Sequence, residues 1–175
     1  MGSQVAFSGL HLPFDEMVNH HQDVESSLTH YFSHVSHQYT IHLERYSKEK
    51  LRFRLSENDK STIFTLLAAV EAAFRIDYLQ RTYQRKKDKL SKAFRALHQQ
   101  KGSRASLEED ILSAWKEHTS VPAKLIGDLR GAFKYRHWLA HGRYWTPKLG
   151  QKYDYDSVYE LTETVFKSFP FMSVR

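Results

Sequence analysis

The sequence predicts an all-α protein. Three observations carry that expectation. Apolar residues recur at helical steps over most of the chain. Only seven Gly and four Pro interrupt 175 residues. Helix-opening and helix-closing residues stand between the periodic stretches. The expected architecture is a bundle of long antiparallel helices with short connections, in one domain spanning 1–175. A chain of this size buries roughly 70% of its unfolded surface.

An N-terminal helix is expected over 12–47, with Pro13 tolerated in its first turn. Leu12, Met17, Val24, Leu28, Phe32, Val35, Tyr39 and Leu43 give it a loose apolar stripe. KLRFRL, residues 50–55, alternates polar and apolar and reads as a short strand or extended link. SENDKS, 56–61, reads as a helix start rich in N-cap residues. The core is expected over 59–169. STIFTLLAAVEAAFRIDYLQR is apolar on most sides, as a central helix would be. Helical pattern continues to about residue 100, with a bend near 84–89 where the apolar pattern fades.

KGSRAS, 101–106, reads as a loop. Ser106 and Glu109 have capping-box spacing for a helix running through Trp115. Pro122 opens another helix, and Gly142 reads as its C′ stop. Asp156 is placed to cap a last helix over 157–169.

The chain contains no cysteine, which excludes disulfide scaffolds, Cys-ligated zinc, Fe–S clusters and Cys nucleophiles. A reducing cytoplasmic location is consistent with that. No apolar run is long enough to cross a membrane, and the N-terminus lacks a secretory pattern. Net charge is +6. Residues 75–104 carry ten Lys/Arg against two Asp, and 122–152 carry seven against Asp128 alone. The remainder is therefore net acidic. Two basic segments in an acidic background point to a polyanion, with nucleic acid first among candidates.

The densest chemistry lies in KYRHWLAHGRYW, 134–145. Cleaving RNA without a metal requires a group to take the 2′-OH proton, a group to protonate the 5′-oxygen, and a cation at the phosphate. Histidine suits the proton transfers because it titrates near neutrality. Arginine suits the phosphate because its planar fork binds two oxygens. Arg136, His137, His141 and Arg143 supply these types. Arg136 and His141 are five residues apart, about 140° around an ideal helix, so they do not share a face. A helix ending at His141 would let them converge. His137 and His141, four apart, do share a face.

Arg136-His-Trp-Leu-Ala-His141 resembles the Arg-x4-His signature of the HEPN superfamily of all-helical proteins, which includes many prokaryotic ribonucleases. EAAFRIDYLQR, 71–81, followed by RHWLAHGRYW is similar to one subgroup, over roughly residues 59–169. The resemblance implies a metal-independent endoribonuclease that leaves a 2′,3′-cyclic phosphate and a 5′-OH. It implies a homodimer with no cofactor, acting as a toxin or antiphage effector beside an antitoxin or defence-system partner. By matched position, Arg136 would stabilise the phosphorane and His141 would move the proton. His137 takes the supporting polar position, and Glu71, Arg75 and Asp77 would assist from the preceding helix. Tyr144 falls one residue later than the modifiable tyrosine of antitoxin-paired members. The alternative is a non-catalytic RNA- or partner-binding helical module.

Lys134, Arg143, Tyr144 and Trp145 are further candidates for RNA contact. Arg81, Arg85, Lys86 and Lys87 form a candidate phosphate track. Trp138 is expected in the core. His30, His34 and His37 share a helix face but lack a completing ligand set, and are read as a solvated face rather than a metal site.

Overall fold

A computed structural model of the chain describes residues 5–10, 12–36 and 41–172, with the side chains of 34–36 and 41–44 outside that description. Six α-helices form a bundle, and no strand occurs among the described residues. They are α1 (Phe14–Ser36), α2 (Ile41–Tyr83), α3 (Lys89–Lys101), α4 (Leu112–His118), α5 (Ala123–Ala140) and α6 (Tyr155–Ser168). A 3₁₀ turn, Gly102–Arg104, and a π turn, Leu107–Ile111, connect α3 to α4.

The 43-residue α2 is the axis of the molecule, about 65 Å long. α1, α3, α5 and α6 all pack against it. Its middle stretch is apolar on several sides because several neighbours cover it. Ile63, Leu66, Leu67, Val70, Phe74 and Tyr78 are fully buried there. α1 returns antiparallel along α2. The helix expected over 12–47 is thus two: one ends at Ser36 and another begins at Ile41.

The expected extended segment at 50–55 is helical, inside α2. Its alternation is ambiguous because Leu51 and Leu55 are also spaced i, i+4. Those two are partly buried while Arg52, Phe53 and Arg54 are exposed, which is the helical solution. SENDKS is likewise mid-helix and starts nothing. Its polar atoms bind other elements instead. Asn58 Nδ2 donates to the His21 carbonyl at 3.1 Å, and Asp59 Oδ1 lies 2.9 Å from His21 Nε2.

α2 does stop where the apolar pattern fades. Residues 84–88 link it to α3, whose first turn is capped by Asp88: Oδ1 accepts from Ser91 N–H at 2.9 Å. Ser106 caps the next turn as expected, accepting from Glu109 N–H at 3.3 Å. The return bond to Ser106 N–H comes from Asp110 at 2.8 Å, not from Glu109. The π turn adds a residue per turn and so shifts the partner by one. At α6 the cap is Asp154, forming a capping box with Ser157, two residues before the expected Asp156.

The core joins distant segments through edge-on aromatic contacts. Phe74 of α2 meets Phe169 and Phe171, each at 4.9 Å, and Trp115 of α4 meets Phe169 at 5.1 Å. Truncating one of these rings to alanine costs about 3–5 kcal/mol. Gly131 is a packing glycine on α5, where a Cβ would collide with the Tyr153 hydroxyl.

Candidate functional site

The last two turns of α5 face a groove of about 630 Å³. Phe133 is buried at its base. Lys134, Arg136, His137 and Trp138 line it from α5, and Glu71 and Arg75 line it from α2. The loop after α5 contributes Trp145, Pro147, Lys148 and Leu149, and the α3–α4 connection contributes Arg104 and Glu108. Five cations thus face two carboxylates, so the groove has a positive field suited to an anion.

Glu71 organises the centre. Its Oε1 accepts from Arg75 Nε at 2.7 Å, and its Oε2 pairs with Arg136 Nη1. Arg75 Nη1 also donates to the Ala105 carbonyl at 3.3 Å, which anchors the loop bearing Arg104. The Arg136 guanidinium lies 5.8 Å from the centre of the Phe133 ring. The ring and the carboxylate together fix the direction of the fork.

His141 is the C-cap of α5, and its N–H donates to the His137 carbonyl at 3.1 Å. Gly142, at φ +76°, supplies the left-handed stop. Arg143 N–H then donates to the Trp138 carbonyl at 3.2 Å, closing a Schellman motif. The helix end does not turn His141 into the groove wall. It sets the His141 ring 4.1 Å from the ring of His137, which does line the groove. Arg136 and His137 therefore both line the groove, with the exposed His141 ring packed against His137. Both imidazoles are exposed, and His137 is the one that also forms part of the groove wall.

Several other candidates lie elsewhere. Asp77 and Arg81 are sealed inside. Asp77 Oδ2 accepts from Arg81 Nε at 2.8 Å, and its Oδ1 accepts from Met172 N–H at 2.9 Å. Arg81 also donates to the Pro170 carbonyl at 2.7 Å. Burial pushes the Asp77 carboxyl pKa up, against the pull of Arg81. This pair holds the C-terminal segment to α2 and has no free edge for a phosphate. Arg85, Lys86 and Lys87 are exposed on the 84–88 link, away from the groove lining.

Arg143 lies outside the groove lining and pairs with a carboxylate of α2. Its two terminal nitrogens donate to the two oxygens of Glu57 on α2 at 2.8 and 2.9 Å. That fork, followed by Lys60, holds the Glu57 pKa down at about 2. The pair straps the turn after His141 to α2. Tyr144 is exposed and outside the groove lining, whereas Trp145 is inside it. Trp138 is only half-buried, stacked on Tyr135 at 5.6 Å.

Sequence reasoning missed Arg104, Glu108, Lys148 and Glu57. Arg104 and Glu108 lie in short 3₁₀ and π turns and Lys148 in a loop, where α-helical spacing does not predict orientation, and Glu57 bonds across 86 residues. A second Arg-to-His spacing, Arg130 to His137, is resolved by contacts. Arg130 Nη2 donates to the Glu108 carbonyl and to Ser113 Oγ, both at 2.9 Å, and so braces the π turn.

Among the described residues no group of three or more His, Asp or Glu side chains is placed to hold a metal ion. His30 is on α1, and the side chains of His34 and His37 lie outside the described residues. No described helix is long and apolar enough to cross a membrane. No protein-family model, curated protein or solved structure matches this chain.

Proposed function

We propose that this chain is a metal-independent endoribonuclease of the HEPN type, cutting RNA by transesterification to a 2′,3′-cyclic phosphate and a 5′-OH. The observation that carries the reading is Arg136 beside His137 on a cationic groove, with His141 in ring contact with His137.

In this reading the scissile phosphate displaces part of the Glu71 contact and takes the Arg136 fork. The fork offsets charge growing on the non-bridging oxygens as the 2′-oxygen attacks phosphorus. One imidazole takes the 2′-OH proton, and a protonated imidazole gives a proton to the departing 5′-oxygen. His137 lines the groove, and the exposed His141, in ring contact with it, is the second imidazole. Glu71 and Arg75 position the guanidinium. The enzyme acts as a homodimer in a prokaryotic cytoplasm, as a toxin or antiphage effector with its own antitoxin or defence partner.

The test is incubation of purified protein with RNA in EDTA, followed by end-group analysis. Cyclic phosphate and 5′-OH ends are expected. His141→Ala and His137→Ala should each lower cutting at least about 100-fold with the helical signal intact. Cutting by both variants at the wild-type rate would overturn the site. Salt-sensitive RNA binding with no products would replace the enzyme with a binding module.

A further inference from the structure

We propose that the groove takes RNA as a single strand, with one unpaired base stacked on the Trp145 indole and the adjoining phosphates against Arg104 and Lys148. This rests on the ribonuclease reading of the same groove and names the form of RNA it accepts.

Three aromatic side chains follow or flank the His pair, and their surroundings separate their roles. Trp138 is committed to the protein. It stacks on Tyr135, and its indole N–H donates to the Trp145 carbonyl at 2.7 Å. Tyr144 is 85% exposed and contributes no groove wall. Trp145 is only partly buried, lines the groove, and has its backbone pinned by that Trp138 bond. Tyr144 packs edge-on against the Trp145 ring at 4.6 Å. Trp145 is thus a held aromatic platform rather than a core residue.

Its distance from the chemistry fits one nucleotide. The Trp145 ring centre is 6.2 Å from that of His137. A base lying on the indole places its own sugar and phosphate next to His137 and Arg136. Pro147, Leu149 and Phe133 give the groove an apolar side that desolvates a base, while Arg104, Lys134 and Lys148 supply the cations a backbone needs. An acidic peptide would satisfy the cations and leave the indole unused. An A-form duplex keeps its bases paired inside and presents sugars and phosphates, so it cannot reach the platform without opening a pair. Stacking on an aromatic side chain is indifferent to base identity, so little sequence preference is expected from it.

The probe is a fluorescently labelled 2′-O-methyl RNA, which lacks the attacking hydroxyl and therefore reports binding alone. The single strand should bind at least about tenfold more tightly than the same sequence in a duplex, and should quench tryptophan emission. Trp145→Ala should lose about tenfold in affinity and most of the quenching, and Trp145→Phe should recover much of the affinity. Arg104→Ala and Lys148→Ala should weaken binding and each flatten the salt dependence by about one counterion. Equal affinity for strand and duplex, or unchanged affinity and quenching in Trp145→Ala, would overturn the proposal. If the single strand binds on Trp145 as described while unmodified RNA is never cut, the base platform stands and the nuclease reading falls.

Discussion

Two pairs on α2 set a carboxylate four residues before an arginine and lie six residues apart: Glu71 with Arg75, and Asp77 with Arg81. In the sequence they look interchangeable. In the fold they do different work. The Asp77 and Arg81 side chains are 0% and 11% exposed, and the Glu71 and Arg75 side chains 17% and 40%. The third partner decides the difference. The spare oxygen of Asp77 takes a backbone N–H from Met172, closing the network on itself. The spare oxygen of Glu71 takes Arg136, a side chain from another helix on an open groove. A charge pair becomes part of a site when one of its members still faces solvent and can exchange partners.

The sealed pair should give the largest effect. Asp77→Ala leaves the Arg81 guanidinium buried with one carboxylate gone and cuts the Met172 tie. It is expected to cost about 3–5 kcal/mol of stability in denaturant unfolding. Replacing both members by apolar residues of similar volume should recover much of that loss, because no charge is then left unpaired. An Asp77→Ala protein as stable as wild type would erase the contrast between the two pairs.

The open pair should answer the other way. Glu71→Gln keeps the shape and an acceptor, so its stability should stay within about 1 kcal/mol of wild type. If the proposed ribonuclease reading holds, its effect belongs on cleavage, where a loosely held Arg136 should lower turnover by about 10- to 100-fold. RNA affinity should hold or rise, since a carboxylate no longer competes with phosphate for the fork. If Glu71→Gln unfolds like Asp77→Ala while cutting normally per folded molecule, both pairs are structural and the groove loses its organising residue.

The contrast also shows where sequence reading stops. Fold class, the break after Tyr83, the stop at Gly142 and the Arg136–His137–His141 cluster were all legible, because each depends on neighbours within a turn or two. The destinations of Asp77, Arg81 and Arg143 were not, because each is set by a partner far along the chain. The basic run 81–87 read as one track, yet Arg81 points inward and the rest lie on an exposed link. KLRFRL failed for a different reason. Six residues satisfy a period of two and an i, i+4 pair equally well, and only the packing of α1 on α2 separates them.

A pair between Glu57 of α2 and Arg143 in the turn after α5 extends the comparison at the weak end. Glu57 meets Arg143 at the surface, where water and salt screen the attraction, so its contribution to stability should be the smallest of the three. Its pH dependence nevertheless has a definite sign. The folded Glu57 pKa is about 2 against an ordinary 4.5, so the folded state favours the charged carboxylate. The stabilisation is present above 4.5 and is lost as pH falls from there toward 2. Glu57→Gln should therefore melt slightly below wild type near neutrality, and the gap should close on acidification through that window. The gap should shrink again in molar salt. A gap that survives both treatments would mean that the strap holds by packing, and that the turn carrying His141 does not depend on this charge.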